Sequence, residues 1–279
     1  MTVHGKPSRL GRMALIGIVL TYLGLILILP LLGLVRHTYE VGFGESFLAL
    51  LDEAALDALL KTLYLIVIAV VVNAVVGTVG AISIVRHRFW GRSLLSAFFD
   101  LPLAVSPVMI GLGFVLLIGR GGLLEPLLQV LDLKVMFSFW GLTIGTLFVT
   151  LPFTMREVAY VLEEIGSQEE EAATTLGASP FQTFWRVTLP NIRFALGYGL
   201  LMTVARTVGE FGAVLVLGGS ISGQTQTATT FIHDAIEERK LPAAYGMSLT
   251  LAALSICLLL GLEWAKKQRK LKLSGRHTP

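Results

Sequence analysis

The sequence predicts an all-α membrane protein with six transmembrane helices, and three observations carry that reading. Apolar residues fill 54% of the 279 positions and charged residues only 15%, where soluble domains carry about a quarter charged residues. The apolar residues gather into six runs, each close to the roughly 20 residues a helix needs to cross the hydrocarbon core. Lys and Arg collect in alternate connections between those runs, as topology signals do.

The first run, 13–35, follows Lys6, Arg9 and Arg12, the arrangement of a secretory leader. It is longer than a signal core of about 7–15 residues and no small-x-small cleavage pattern follows it, so it is expected to be retained as a helix. The second run, 62–85, is uninterrupted and ends at Arg86. The third, 94–118, is broken by Asp100, Pro102, Ser106, Pro107, Gly111 and Gly113. Each proline there removes an intrahelical hydrogen bond, and such backbone is tolerated at membrane depth only under a cover of protein or in a wet cavity. Gly111-x-Gly113 follows no strand and reads as helix packing, not nucleotide binding.

The fourth run is 137–155, and the fifth, 194–217, carries Arg206 and Glu210. Four residues apart, these two share a helix face with Gly199, Thr203 and Ala213. A lone charge at mid-bilayer costs at least ~2.5–3.5 kcal/mol, so this face should point into a bundle or cavity. Ser106, Thr203 and Arg206 offer hydroxyl donors and positive charge suited to an anion, and with Glu210 they are the candidate pathway residues of the third and fifth helices. Glu210 reads as the neutraliser of Arg206 within the bundle or as a partner for a charge on a neighbouring subunit, and Asp100 as a cap or a partner for Arg88 or Arg92. The sixth run, 245–262, holds the single cysteine, Cys257, which has no internal disulfide partner.

Orientation follows from the basic residues. Lys6, Arg9 and Arg12, then Arg86, Arg88 and Arg92, then Arg156, Arg186 and Arg193, then the run 266–276 fall on one side; they outnumber Arg36, Lys61, Arg120, Lys134, Arg239 and Lys240 on the other. The tails 1–12 and 265–279 are therefore expected in the cytoplasm, flanking a transmembrane domain over 13–264. The basic C-terminal tail reads as an anchor at anionic lipid headgroups, with no nucleic acid required.

Composition also excludes an enzyme. The longest segment outside the runs, 156–193, is too short for an independent catalytic domain. No nucleophile and base stand at recognisable spacing, so no catalytic residue is assigned. His4, His37, His87, His233 and His277 lack ligand spacing, so no metal site is expected. The chain has no G-x-x-x-x-G-K-[ST] loop, so it should bind no nucleotide or other cofactor itself.

Segment 156–193 nevertheless holds the densest set of local signals. Val158, Val161, Leu162 and Ile165 continue the fourth helix on an amphipathic face as far as Gly166. Ser167 with Glu170 predicts one capping box, and Ser179 with Gln182 a second, with Pro180 at the first helical position. Gly177 is expected to end the first short helix and Pro190 the second, which carries Phe181, Phe184 and Trp185. Two short helices hinged at a glycine make a cytoplasmic knob, and a knob needs a socket.

Glu171-Ala172-Ala173, then Gly177, Val187 and Leu189-Pro190 at their spacing, resemble the EAA loop of ABC-importer permeases, with Val in place of the usual Ile. That resemblance implies the type I permease fold. It makes the loop a coupling helix seated on a separate ATPase subunit, where ATP and Mg would bind. Residues 99–108, 166–171, Arg193 and Arg206-Thr207-Val208-Gly209-Glu210-Phe211-Gly212-Ala213-Val214 are similar to the sulfate/thiosulfate permeases, most of all the W-type subunit. For such a protein the family implies a homologous second permease, two ATPase subunits, a periplasmic sulfate-binding protein and the bacterial inner membrane. Molybdate or tungstate permeases share the Gly-Glu-Phe-Gly-Ala pattern and are the alternative. A channel or secondary transporter working alone would leave the knob without a partner and would call for an inverted repeat that the sequence does not display.

Overall fold

The computed structural model describes residues 9–274, and among them all regular structure is helical. The tail charges Lys6, Arg9, Arg12 and those of 266–276 lie outside the residues whose side chains are described, as does the basic tail beyond 274. Helix α1 (Arg9–Val41) spans the first apolar run and passes through Pro30. Within Leu15–Val41 only Thr38 is buried by the rest of the chain, as suits a helix turned to lipid or to another subunit. It ends at Gly42, whose φ of +110° turns the chain into α2 (Phe43–Leu48) and a tight turn, Ala49–Leu51.

The bundle is centred on three helices. Asp52 caps α3 (Glu53–Arg86) by accepting a hydrogen bond from the Glu53 amide. It packs along α7 (Phe139–Ile165), and α10 (Leu189–Val208) lies against both. Small and hydroxyl side chains let these helices approach closely. A Cβ on Gly77 would stand 3.1 Å from the Thr154 side chain, and one on Gly199 would stand 2.7 Å from the Thr154 Cα. Asn73 of α3, fully buried, donates to Thr150 of α7 at 2.8 Å, and Thr154 meets Thr203 of α10 at 3.1 Å. Towards one end Ala81, Ile84, Phe99, Met155, Val158, Leu162 and Ile192 form one apolar cluster. Towards the other, Leu50, Ala55, Ala58, Phe231, Ala244 and Met247 form a second.

The third run is not a straight span. It divides into α4 (Arg92–Ala104) and α5 (Pro107–Ile118), bent by 120°. The residue before a proline is pushed to extended backbone, and Val105 and Ser106 both adopt it, with ψ of 141° and 146°. Ser106 then accepts from the Met109 amide at 3.3 Å and Pro107 opens the new helix. A short α6 (Glu125–Val130) follows before α7.

The fifth run also departs from the predicted single helix. Its helix starts earlier, since α9 (Pro180–Thr183) passes through a π turn at Phe184–Thr188 directly into α10. Pro190 therefore lies inside a continuous helix instead of ending the short one, and its missing amide follows directly on the π turn at Phe184–Thr188. The run then breaks at Gly209–Phe211 and resumes as α11 (Gly212–Gly218), bent by 57°. Helix α12 (Ala228–Glu237) and the long α13 (Leu241–Ser274) complete the chain, with α8 (Gln168–Thr175) in the loop after α7.

Among the described residues, three helices are by length and composition able to cross a membrane, α1, α3 and α13, and up to five if each bent pair is one span. The fourth predicted span lies within α7, whose buried Thr143, Thr146, Thr150 and Thr154 and internal Pro152 dilute its apolar character. Its position at the centre of the bundle, covered by α3 and α10, makes a lipid-like surface unnecessary.

Candidate functional site

Two regions gather the chemistry. In the loop after α7, Gly166 and Gly177 both take positive φ, +67° and +84°, and a Cβ at either would meet nothing within 4 Å. They are glycines for the turn and not for space. The second predicted capping box is present: the Ser179 hydroxyl accepts from the Gln182 amide at 3.3 Å, and the Gln182 side chain accepts from the Ser179 amide at 2.9 Å. The first is absent. The Ser167 hydroxyl turns to Glu171, because Glu170 is drawn away by a stronger partner, the guanidinium of Arg86 at 2.6 Å.

Of the loop residues picked out by motif, Glu171 and Ala172 are exposed, Ala173 is half-buried, and Gly177 sits at the hinge. Val187 and Leu189 are half-buried in and after the π turn, with Pro190 exposed beside them. Around them Leu176, Phe181 and Trp185 are 88%, 71% and 53% exposed. Phe181 and Phe184 both stand edge-on to the Trp185 ring, at 6.0 and 5.5 Å. The three rings form an exposed aromatic cluster, and Leu176 adds further apolar surface to a polar loop, the kind of exposure that marks a protein contact.

The second region is the break in the fifth run. Arg206 Nη1 lies 2.6 Å from Glu210 Oε2. The break does not separate the pair, since Glu210 turns back across Gly209, its amide donating to the Thr207 carbonyl at 3.1 Å. Its other oxygen accepts from the Ala213 amide at 2.9 Å and so caps α11, while its carbonyl accepts from Thr229 at 2.6 Å. Glu210 thus makes four polar contacts at once, and the predicted common face with Ala213 is replaced by a direct hydrogen bond. Thr203, fully buried, is held by Thr154 inside the bundle. Ser106 caps α5, whose start packs against α11: a Cβ on Gly212 would stand 3.1 Å from the Val108 amide. The break in the third run therefore lies against the break in the fifth.

Asp100 pairs with Arg156 at 2.7 Å, not with Arg88 or Arg92, because the bend turns the end of α4 towards α7. Sequence reasoning missed Arg86 and Thr188. Arg86 was legible only as one more basic residue after a span, and Thr188 stands between two motif positions with nothing to distinguish it.

Comparison with known proteins places these features in context. Residues 73–268 match the model of the binding-protein-dependent transport system inner membrane component family. The chain is 44% identical over 247 residues to the sulfate transport system permease protein CysW of Synechococcus elongatus, covering 88% of this chain and 86% of that one. It is 34% identical over 248 residues to the sulfate transport system permease protein CysT of Escherichia coli, covering 89% and 90%. Among solved structures, a bacterial alginate ABC transporter in complex with its alginate-bound periplasmic protein superposes with a TM-score of 0.74 over 90% of this chain and 91% of that one. At 17% identity that likeness concerns the fold.

Proposed function

The chain belongs to the binding-protein-dependent transport inner membrane components, and from that premise we propose that it is the permease subunit of an ATP-driven importer for sulfate and thiosulfate. The single observation that carries the substrate is the identity to sulfate permeases along nearly the whole chain. In this reading the six apolar runs all serve as spans, with the third and fifth broken, and both termini lie in the cytoplasm. A homologous second permease completes the pathway, as the likeness to both W-type and T-type relatives suggests. A periplasmic binding protein delivers the anion.

The energetics ask for a pump. Moving a dianion into a cell that is negative inside opposes about 2.3 kcal/mol per charge per 100 mV, or roughly 4.6 kcal/mol for sulfate before any concentration gradient. ATP bound to two partner ATPase subunits supplies that work. This chain's part is mechanical. The exposed Leu176, Phe181 and Trp185 seat the loop of Glu171, Ala172, Ala173, Gly177, Val187, Leu189 and Pro190 on the ATPase, and movement there is passed to the spans.

At the pathway, Arg206 is the cation on offer. It is the more exposed member of its pair with Glu210; Ser106 and Thr203 supply hydroxyls in the two broken runs, Thr203 from inside the bundle, where it meets Thr154. The test is uptake of labelled sulfate, thiosulfate and molybdate by cells lacking this chain and cells regaining it. Restored sulfate and thiosulfate uptake is expected; restoration of molybdate uptake alone would make it a molybdate permease, and uptake independent of ATP would make it a channel or secondary transporter.

A further inference from the structure

Resting on the importer reading above, we propose that Arg86 is a positioning residue that fastens the coupling loop to the transmembrane core. Its guanidinium makes three bonds to three parts of the chain. Nε donates to Glu170 Oε2 at 2.6 Å, Nη1 to the Leu162 carbonyl at 3.0 Å and Nη2 to the Gly166 carbonyl at 2.7 Å. Glu170 then passes the connection on, since its Oε1 accepts from Thr188 Oγ1 at 2.7 Å. One arginine and one carboxylate thus tie the end of α3, the end of α7, the first turn of α8 and the π turn that leads into α10.

Each bond has an electrostatic reason. Arg86 stands at the C-terminal ends of α3 and α7, where the last carbonyls have no intrahelical partner and a cation is favoured. Glu170 stands in the first turn of α8, where a carboxylate is favoured. The side chains are 14% and 19% exposed, so water competes weakly for the pair. The planar fork of arginine can serve several acceptors in fixed directions; a lysine ammonium is a point charge that cannot hold all of them.

The position of α8 depends on these bonds because it has little else. The helix has eight residues and none is buried, so apolar packing holds it only weakly, and an isolated helix of that length is marginal. Besides the Arg86–Glu170–Thr188 chain, one exposed bond, Asn191 Nδ2 to Glu169 Oε2 at 2.6 Å, ties it to α10. Without Arg86, pressure on the knob would swing α8 on the glycine hinges Gly166 and Gly177. With Arg86 that pressure reaches α3 and α7 as well, while α9 passes it through the π turn into α10, which leads to Arg206.

The experiment uses the whole complex in proteoliposomes with its ATPase and sulfate-loaded binding protein, and reads sulfate transported per ATP hydrolysed. Wild-type protein without sulfate-stimulated hydrolysis would overturn the importer reading itself. Given a coupled wild type, Arg86→Lys is expected to lower the ratio about fivefold or more with the ATPase still bound, since charge is kept and the fork is lost. Thr188→Val should lower it about threefold by removing one bond to the carboxylate. In a Cys257→Ala background, the pair Arg86→Cys and Glu170→Cys should be uncoupled, and joining the two thiols with a short bifunctional methanethiosulfonate should restore the ratio. A wild-type ratio in Arg86→Lys, or a bridge that fails to restore coupling, would overturn the proposal. Should Arg86→Lys fail to assemble, Thr188→Val and the bridged pair decide it.

Discussion

Arg206 Nη1 and Glu210 Oε2 lie 2.6 Å apart, yet the two side chains are unequally sealed, with Glu210 1% exposed and Arg206 27%. Breaking a buried pair by removing one member typically costs about 3–5 kcal/mol, because the other is left uncompensated. The asymmetry sets the order of effects. Arg206→Met strands a nearly sealed carboxylate, whereas Glu210→Gln leaves a guanidinium that can reach water and an amide oxygen that can still accept from Ala213. Arg206→Met should therefore lower the thermal stability of the purified complex more than Glu210→Gln does. The double variant should regain most of that loss and still import no sulfate, because the cation is gone. Normal uptake by the double variant would remove Arg206 from the pathway.

Two glycines of α10 separate packing from propensity. A Cβ on Gly199 would stand 2.7 Å from the Thr154 Cα, a contact with backbone that cannot yield, while one on Gly197 would meet nothing within 4 Å. Gly199→Ala should force α7 and α10 apart at a cost of about 1–3 kcal/mol. Gly197→Ala should be neutral or stabilising by up to about 1 kcal/mol, since alanine favours a helix interior. Melting of the two variants side by side checks the pair, and equal melting temperatures would mean that α7 and α10 are not in contact as described.

How much of this was legible in the sequence depended on whether the cause was local. The Ser179–Gln182 box and the Gly177 turn are set by residues within a few positions of one another, and they appear as expected. The Ser167–Glu170 box failed although its sequence is equally good, because Arg86 approaches from 84 residues away. The interruption of the third run was visible in its prolines and glycines, whereas the fifth run read as a single helix; the 120° and 57° bends depend on what the half-helices pack against. Pro190 shows the same limit, since the π turn at Phe184–Thr188 lets the helix run on through a proline that the sequence alone reads as a stop.

The Asp100–Arg156 bond is a useful contrast to the buried pair. Its members are 37% and 56% exposed in their side chains. Ion pairs of this kind contribute about 0.2–1 kcal/mol, and salt screens them. Asp100→Asn should therefore leave complex stability within about 1 kcal/mol of wild type, with any difference disappearing in high salt. A larger loss that persists in salt would mean that Asp100 has a second partner in the assembled transporter.

Gly177 carries the hinge by backbone conformation alone. Its φ of +84° lies where a side chain costs about 1–2 kcal/mol, and asparagine pays less of that than other residues. The turn is closed by two bonds, Gly177 N–H to the Thr174 carbonyl at 2.9 Å and Ala178 N–H to the Ala173 carbonyl at 3.0 Å. Gly177→Val should shift the turn towards open forms by roughly 5–30-fold, the ratio that 1–2 kcal/mol represents. Amide exchange across 168–183 should accelerate and sulfate uptake should fall, while Gly177→Asn retains most of both. Because space around the glycine is open, a loss caused by crowding would affect Asn and Val alike; a loss caused by φ spares Asn. Equal loss in the two variants would place residue 177 against the ATPase surface instead of assigning it a hinge.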